Sequence, residues 1–225
     1  MKRITVLLAE DHRIVREGFR SLLNHERDIE VVGEAADGRE AVQLTRKLLP
    51  AVVVMDIAMP LLNGLEATRQ VRKAVPGTKV LILSAHSDEA YVQQMMELGA
   101  AGFLFKQTSS HELAAAIRAV DKGNTFFSPS IANNLRNREQ RLPGGRGQGR
   151  KKINRLSSRE VEVLQLIAEG MPNKQVAAAL GVSFKTVDKH RQHLMSKLNI
   201  HDIAGLTRYA ISAGIIESTV PLAIL

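Results

Sequence analysis

Short apolar segments that end in charged or polar residues constrain the fold of this chain more than any other feature. Segments 4–9 and 51–55 are followed at once by carboxylate residues, and two later segments end in Ser84 and Lys106. Apolar runs of this kind, alternating with helical patterns, are typical of strands buried on both faces of a parallel sheet. With right-handed crossovers, they predict a doubly wound α/β domain with a five-stranded parallel sheet.

The polar residues that follow the predicted strands are expected to meet at one edge of the sheet. In an open parallel sheet, ligands bind at the carboxyl ends of the strands, beside the point where the strand order reverses. Glu10, Asp11 and Asp56 would repel one another there without a cation, and Mg²⁺ prefers oxygen ligands. Ser84 and Lys106 bring a hydroxyl and an ammonium group to the same edge. Together these groups have the chemistry of a phosphoryl-acceptor site.

The order of these residues, each at a strand end, resembles the receiver domain of two-component response regulators, over roughly the first half of the chain. The resemblance implies that Asp56 is the phosphoacceptor. It also implies that Mg²⁺ is held by the carboxylates of Glu10, Asp11 and Asp56 and by the backbone carbonyl of Ala58.

The resemblance assigns roles on the phosphoryl side as well. Ser84 and Lys106 would contact the phosphoryl oxygens, and Phe103 matches the switch aromatic residue that turns inward when Ser84 moves. One position departs from the family, because Gln107 follows Lys106 where a proline joined by a cis peptide is usual. A non-proline cis bond costs about 3 kcal/mol, so we expect a trans bond and an altered loop. An alternative is a receiver that acts as a phosphate-independent scaffold.

The net charge of the chain comes entirely from its C-terminal part. The whole chain has a net charge of +8, and residues 131–225 hold 15 Lys+Arg against 7 Asp+Glu, which accounts for all of it. A basic region of this kind indicates a polyanionic partner such as DNA. The chain has no cysteine, which excludes disulfides and cysteine-based chemistry. No apolar run is long enough to span a membrane and no secretion signal is apparent, so we expect a cytoplasmic protein without membrane contacts.

Composition divides the chain into three predicted parts. Residues 1–125 form the receiver domain, residues 126–154 a short helix and a flexible basic linker, and residues 155–225 a second domain. Segment 141–152 contains four glycines, one proline and five basic residues. Ordering so many glycines costs too much chain entropy without a partner, so we expect this linker to be mobile.

Four helical patterns follow residue 156 and predict an all-α four-helix domain. Ser157 or Ser158 begins the first helix and Ser183 the third, while Asn173 is expected to cap the second because Pro172 precedes it. The second and third helices form a helix-turn-helix pattern. Segments 156–164, 173–177 and 185–190 closely resemble the LuxR-type DNA-binding domain, so the whole chain resembles a NarL/FixJ-type response regulator.

In such motifs, the second helix of the pair enters the major groove of DNA. The resemblance implies base contacts from Asp188, Lys189 and Gln192. Four further residues are better placed for DNA phosphates: Lys174, Lys185, Thr186 and Arg191. Glutamine suits adenine and aspartate suits the cytosine amino group. Asp188 would repel the DNA backbone unless it reads cytosine or pairs with a neighbouring lysine, and both interpretations stay open.

The fourth helix, at about residues 202–213, is expected to complete the domain core. The resemblance to LuxR-type domains implies that it also contributes to a homodimer, through Ile203, Leu206 and Ala210. A two-fold dimer would bind an inverted-repeat operator. We predict a DNA-binding transcription factor whose only catalysis is phosphotransfer from a cognate sensor histidine kinase and loss of that phosphate. Phosphorylation would either expose the recognition helix or drive dimerisation.

A rival interpretation is a metal-dependent phosphohydrolase with an aspartate nucleophile. Such enzymes need a second acid two residues after the nucleophile, and this chain has Ala58 at that position. The rival also gives the helix-turn-helix no role.

Overall fold

A computed structural model of the chain describes residues 3–85, 95–127 and 156–216. The chain divides into two compact units, Met1–Gly145 and Arg146–Leu225, and each is described by itself. All but the first two residues of the predicted linker part, 126–154, lie outside the described residues, so its helix and its bounds remain predictions.

The first unit contains one parallel β-sheet. In chain order its strands are β1 (Ile4–Ala9), β2 (Ile29–Ala35), β3 (Val52–Asp56), β4 (Lys79–Ser84), β5 (Gly102–Phe105) and β6 (Phe126–Phe127). They are arranged in the order β2-β1-β3-β4-β5-β6, and every neighbouring pair is parallel. The strand order reverses between β1 and β3, so the carboxyl ends of these strands flank the crevice where such sheets bind ligands.

The sheet therefore has six strands where five were predicted. Strand β6 is only two residues long and pairs with Gly102 and Phe103 of β5. Two residues are too few to show an alternating pattern in the sequence. The strand depends instead on a close backbone approach, because a Cβ atom on Gly102 would lie 2.5 Å from the carbonyl oxygen of Phe126.

Helices cover both faces of the sheet. They are α1 (Arg13–Asn24), α2 (Gly38–Leu48), α3 (Gly64–Ala74) and α4 (Ser110–Asp121), and residues 95–97 are also helical. Helices α2 and α3 pack on one face and α1 and α4 on the other. Within β1, Leu7 belongs to the first core and Leu8 to the second. Continuous apolar strands are stable here because successive side chains point to opposite faces and both faces are covered.

The second unit is helical over its described residues, 156–216. Its helices are α5 (Ser158–Ala168), α6 (Asn173–Leu180), α7 (Phe184–Leu198) and α8 (Ile203–Ser212). Ser157 and Glu160 form a capping box at α5, and Ser183 caps α7. Gly181, with a φ of 62°, ends α6 in the left-handed conformation that glycine adopts without strain. The turn between α6 and α7 makes the predicted helix-turn-helix.

The predicted cap of α6 is wrong. Pro172 occupies the N-cap position without a side-chain hydrogen bond, and Asn173 is already the first helical residue. Its side-chain oxygen instead accepts a hydrogen bond from Arg191 at 3.2 Å. Across the described parts of the chain, the structure contains no helix with the length and apolar character needed to cross a bilayer.

Candidate functional site

Three of the predicted site residues meet at the carboxyl edge of the sheet. Glu10 follows β1, Asp56 ends β3, and both are buried. Lys106 follows β5 and reaches between them. Its Nζ atom lies 2.8 Å from Glu10 Oε2 and 2.9 Å from Asp56 Oδ2. The three strands thus bring two carboxylates and one ammonium group into direct contact.

The charges of this cluster depend on one another. Burial raises the pKa of Asp56, and the nearby Lys106 opposes that effect. The pKa of Glu10 is also raised, mainly by burial and secondly by the negative charge of the neighbouring Asp56. Burial alone would lower the pKa of Lys106, but Asp56 and Glu10 hold it above its ordinary value. Lys106 is therefore the cation that favours the charged, nucleophilic form of Asp56. The other oxygen of Asp56, Oδ1, accepts the Ile57 N–H at 2.8 Å.

His12 belongs to the same edge and was not among the predicted site residues. Its Nδ1 lies 2.9 Å from Asp11 Oδ1 and 3.2 Å from Glu10 Oε1, and its backbone N–H donates to Glu10 Oε1 at 3.1 Å. Asp11, the largest cause, raises the pKa of His12. The only feature of the sequence that indicates a role for His12 at this site is its position directly after Glu10 and Asp11.

The donor set at this edge suits Mg²⁺. Glu10, Asp11 and His12 each offer a ligand atom, and these atoms lie within 4.8 Å of one another. The carboxylates of Glu10, Asp11 and Asp56 are hard oxygen donors, which Mg²⁺ prefers. Ala58, whose backbone carbonyl is the fourth predicted ligand, lies half-buried in the loop that follows β3. Receiver domains generally bind Mg²⁺, and these residues fit that ion.

The loop after β3, residues 57–63, is hereafter called the acceptor loop. It packs directly against two glycines that begin helices. A Cβ atom on Gly64 would lie 2.0 Å from the carbonyl oxygen of Asp56, and one on Gly38 would lie 1.9 Å from that of Leu62. The Gly64 N–H also donates to the carbonyl of Ile57 at 2.8 Å. The absence of two side chains therefore lets the acceptor loop lie against α2 and α3, a role that the sequence did not reveal.

Ser84 and Phe103 lie on neighbouring strands, where Ser84 is opposite Phe105 and Phe103 is opposite Ile82. Ser84 ends β4 and is buried, and its backbone carbonyl accepts the N–H of Lys106 at 2.8 Å. Phe103 is already buried, with its ring centroid 6.0 Å from that of Phe105 in an edge-to-face arrangement. The predicted switch residue, Phe103, is thus in its inward, buried position in this structure. The described residues contain no cis peptide bond, so the bond from Lys106 to Gln107 is trans, as expected.

Helix α7 presents a polar, mostly basic surface. Lys185, Lys189 and Gln192 are exposed, and Thr186 and Asp188 are half-buried. An open cavity of about 570 Å³ on this helix is lined by Ser183, Lys185, Thr186, Lys189, His190 and His193. Surfaces of this kind attract the phosphates of nucleic acids.

Two predicted DNA contacts of α7 have partners within the unit. Arg191 is half-buried and donates to the side chain of Asn173, which ties α7 to the start of α6. Gln192 Nε2 donates to Asp188 Oδ2 at 2.9 Å, one helical turn away. Lys174 is exposed in the first turn of α6.

The structure corrects the predicted dimer residues. Leu206 and Ala210 are 0% exposed and lie in the core of the helical unit, so they offer no surface to a second chain. Ile203, by contrast, is 52% exposed. The outer face of α8 is formed by Ile203, the half-buried Thr207 and Ile211, which is 37% exposed. The helical periodicity identified the apolar residues of α8 but did not separate its core face from its outer face.

The comparisons with known proteins agree with this geometry. The first unit matches the response regulator receiver domain over residues 6–118, and the second matches the bacterial regulatory proteins of the luxR family over residues 154–210. The chain therefore belongs to the two-component response regulators that join a receiver domain to a LuxR-type DNA-binding domain.

Several full-length regulators are similar to the chain. It is 38% identical over 217 residues to the oxygen regulatory protein NreC of Staphylococcus carnosus (strain TM300), covering 94% of this chain and 99% of that protein. It is 37% identical over 211 residues to the transcriptional regulatory protein DegU of Brevibacillus brevis, covering 89% of each. The solved RcsB response regulator–DNA complex is 27% identical, with a TM-score of 0.57, and covers 94% of this chain and 99% of that one.

Proposed function

We propose that Mg²⁺-dependent phosphorylation of Asp56 by a sensor histidine kinase controls DNA binding by α7. The main support is the position of the Lys106 ammonium group, in contact with the buried carboxylates of both Asp56 and Glu10. A structural ion pair needs only one carboxylate. Two buried carboxylates around one lysine, with Asp11 beside them, suit a site that binds a metal ion and a phosphoryl group together.

In the proposed transfer, a carboxylate oxygen of Asp56 attacks the phosphorus of the kinase phosphohistidine. A P–O bond forms as the P–N bond breaks, and the departing imidazole nitrogen takes up a proton. Mg²⁺, held by Glu10, Asp11, Asp56 and the carbonyl of Ala58, supplies positive charge to the phosphoryl oxygens when it is bound. Lys106 supplies a second positive charge, so the contribution of the protein is positioning and electrostatic stabilisation.

The phosphorylated state is proposed to be transmitted through Ser84 and Phe103. The Ser84 hydroxyl moves to the phosphoryl group, and Phe103 repacks against Phe105 at the end of β5. Because Phe103 is already inside, this response is a change of packing and not a change of burial. The surface formed by β5 and α4 then changes its contacts.

DNA binding is proposed to use α7 in the major groove. The exposed Lys185, Lys189 and Gln192 and the half-buried Thr186 of α7, together with the exposed Lys174 of α6, are the proposed phosphate and base contacts. RcsB, which is similar along most of its length, has been solved in complex with DNA. A homodimer formed through the outer face of α8 would place two recognition helices on an inverted-repeat operator.

The test uses the full chain with Mg²⁺ and acetyl phosphate, and Asp56→Asn as the control. We expect a mass increase on the Asp56 peptide and tighter binding to duplex DNA, both absent in the variant. Without a mass increase, phosphorylation of Asp56 is refuted. Equal DNA affinity of phosphorylated wild type and Asp56→Asn would favour a phosphate-independent scaffold.

A further inference from the structure

An acidic residue lies on the surface of α7 that is proposed to face DNA, where its charge opposes binding. Asp188 is half-buried and has Lys185 and Lys189 close to it in sequence. Within the described part of the chain, neither lysine forms an ion pair with it. Its carboxylate instead accepts a hydrogen bond from Gln192, with 2.9 Å between Oδ2 and Nε2. The presence of this acid therefore needs an explanation other than lysine pairing.

The hydrogen bond restricts what Gln192 can present to a base. A glutamine amide has one carbonyl oxygen and two N–H groups. Asp188 occupies one N–H group, so the carbonyl oxygen and the second N–H remain available on an exposed side chain. An acceptor beside a donor is the pattern that matches the N6 amino group and the N7 atom of adenine in the major groove. The carboxylate also fixes which way the amide faces, because a rotated amide would bring two oxygens together.

We propose that Asp188 is a positioning residue that orients Gln192 to read adenine in the major groove. This inference deepens the proposed function and depends on it. Side chains four residues apart lie above one another on a helix, so the interaction needs no change in the backbone. The negative charge of Asp188 weakens attraction to every DNA phosphate, and the gain is discrimination between bases.

Asparagine and alanine at position 188 separate positioning from direct base reading. The side-chain oxygen of asparagine still accepts the Gln192 N–H and carries no charge, but its NH2 group also accommodates a rotated Gln192 amide. Asp188→Asn should therefore raise affinity for all sequences and keep a stronger adenine preference than Asp188→Ala. Asp188→Ala also raises affinity but frees the Gln192 side chain, which should weaken the adenine preference about 2- to 12-fold.

Gln192→Ala should abolish the preference itself. A good bidentate contact discriminates between bases by about 5- to 150-fold. Gln175→Ala is the matched control, because Gln175 is an exposed glutamine of α6 outside the proposed reading surface. This control should leave the base preference unchanged.

The experiment selects bound duplexes from a randomised DNA library. The full chain and its four variants are used, with Mg²⁺ and acetyl phosphate, and the retained DNA is sequenced. The position read by Gln192 is the one whose preference disappears in Gln192→Ala. Adenine at that position in wild type and Asp188→Asn, with a weaker preference in Asp188→Ala, supports the inference.

Three outcomes would overturn it. A cytosine preference lost in both Asp188 variants would make Asp188 the base-reading residue. Equal adenine preference in wild type and Asp188→Ala would leave Asp188 without a positioning role. Failure of the wild type to retain any duplex would refute DNA binding itself, and this result is distinguishable from the other two because no sequences are recovered.

Discussion

Replacing Gly64 by alanine tests how the acceptor loop is held. The new Cβ atom would lie 2.0 Å from the carbonyl oxygen of Asp56, and real Cβ atoms essentially never approach closer than 3.0 Å. The loop or the start of α3 must therefore move by at least about 1 Å. Forced overpacking typically costs about 1–3 kcal/mol. Alanine gains at most about 1 kcal/mol in helix propensity over glycine, so we expect a net loss of up to about 2 kcal/mol.

The same displacement should lower phosphorylation, since it moves the backbone that carries Asp56 and Ala58. Urea unfolding measures the stability, hydrogen exchange of residues 57–67 locates the change, and intact mass after acetyl phosphate treatment measures phosphorylation. Gly18→Ala in α1 is the matched control, because its Cβ would meet no atom within 4 Å. If Gly64→Ala were as stable and as readily phosphorylated as Gly18→Ala, the proposed packing of the acceptor loop would be refuted.

Four further variants test other parts of the molecule. Lys106→Met leaves Asp56 and Glu10 without their cation and should slow phosphorylation by acetyl phosphate about 100-fold; an unchanged rate by mass spectrometry would contradict its role. The hydrogen bond from Arg118 lowers the pKa of Asp28 from its ordinary value of 3.8 to about 2. This pair therefore stabilises the receiver fully above about pH 3.8, and the contribution is lost as the pH falls through about 2. Arg118→Leu should remove that part of the pH dependence of urea unfolding, and an identical profile would disprove the linkage. Lys197→Met removes the ammonium group that lies 2.7 Å from the buried Glu160 carboxylate and should destabilise the helical unit by about 1–2 kcal/mol. The loss is smaller than for a fully buried pair because Lys197 is 41% exposed. The control is Lys174→Met, which replaces an exposed lysine and should leave the stability unchanged. Ile211→Glu should prevent dimerisation of the phosphorylated chain in analytical ultracentrifugation while leaving the thermal midpoint within about 2 °C of wild type, and a persistent dimer would exclude the outer face of α8.

The features that sequence predicted well are those determined locally. Apolar runs and the polar residues after them fixed the strands, and the order of those strands in a parallel sheet brings Glu10, Asp56 and Lys106 to one edge. Ser183 was identified as a cap because a hydroxyl before a helix can bond its first N–H groups. Each strand and each cap is encoded within a few consecutive residues, and the general rule that parallel strands end at one edge then places the site.

The features that sequence missed depend on contacts between distant segments. Strand β6 exists because Gly102 admits a neighbouring backbone, and the acceptor loop depends on Gly38 in the same way. Asn173 bonds Arg191 of another helix in place of its own backbone. Leu206 and Ile203 have similar side chains, and only the packing of α8 against the rest of the unit decides which of them is buried.

The Lys106 contacts have a consequence for newly made chains. Glu10, Asp56 and Lys106 come from three strands that are far apart in sequence and become neighbours only when the sheet is assembled. A chain that has not yet incorporated β5 lacks the cation, and its aspartate is an ordinary carboxylate in water. Under the proposed function, acceptance of phosphate therefore reports that the receiver is folded, so unfinished or damaged copies do not compete for the signal. The fraction of a preparation that accepts phosphate then measures its native content.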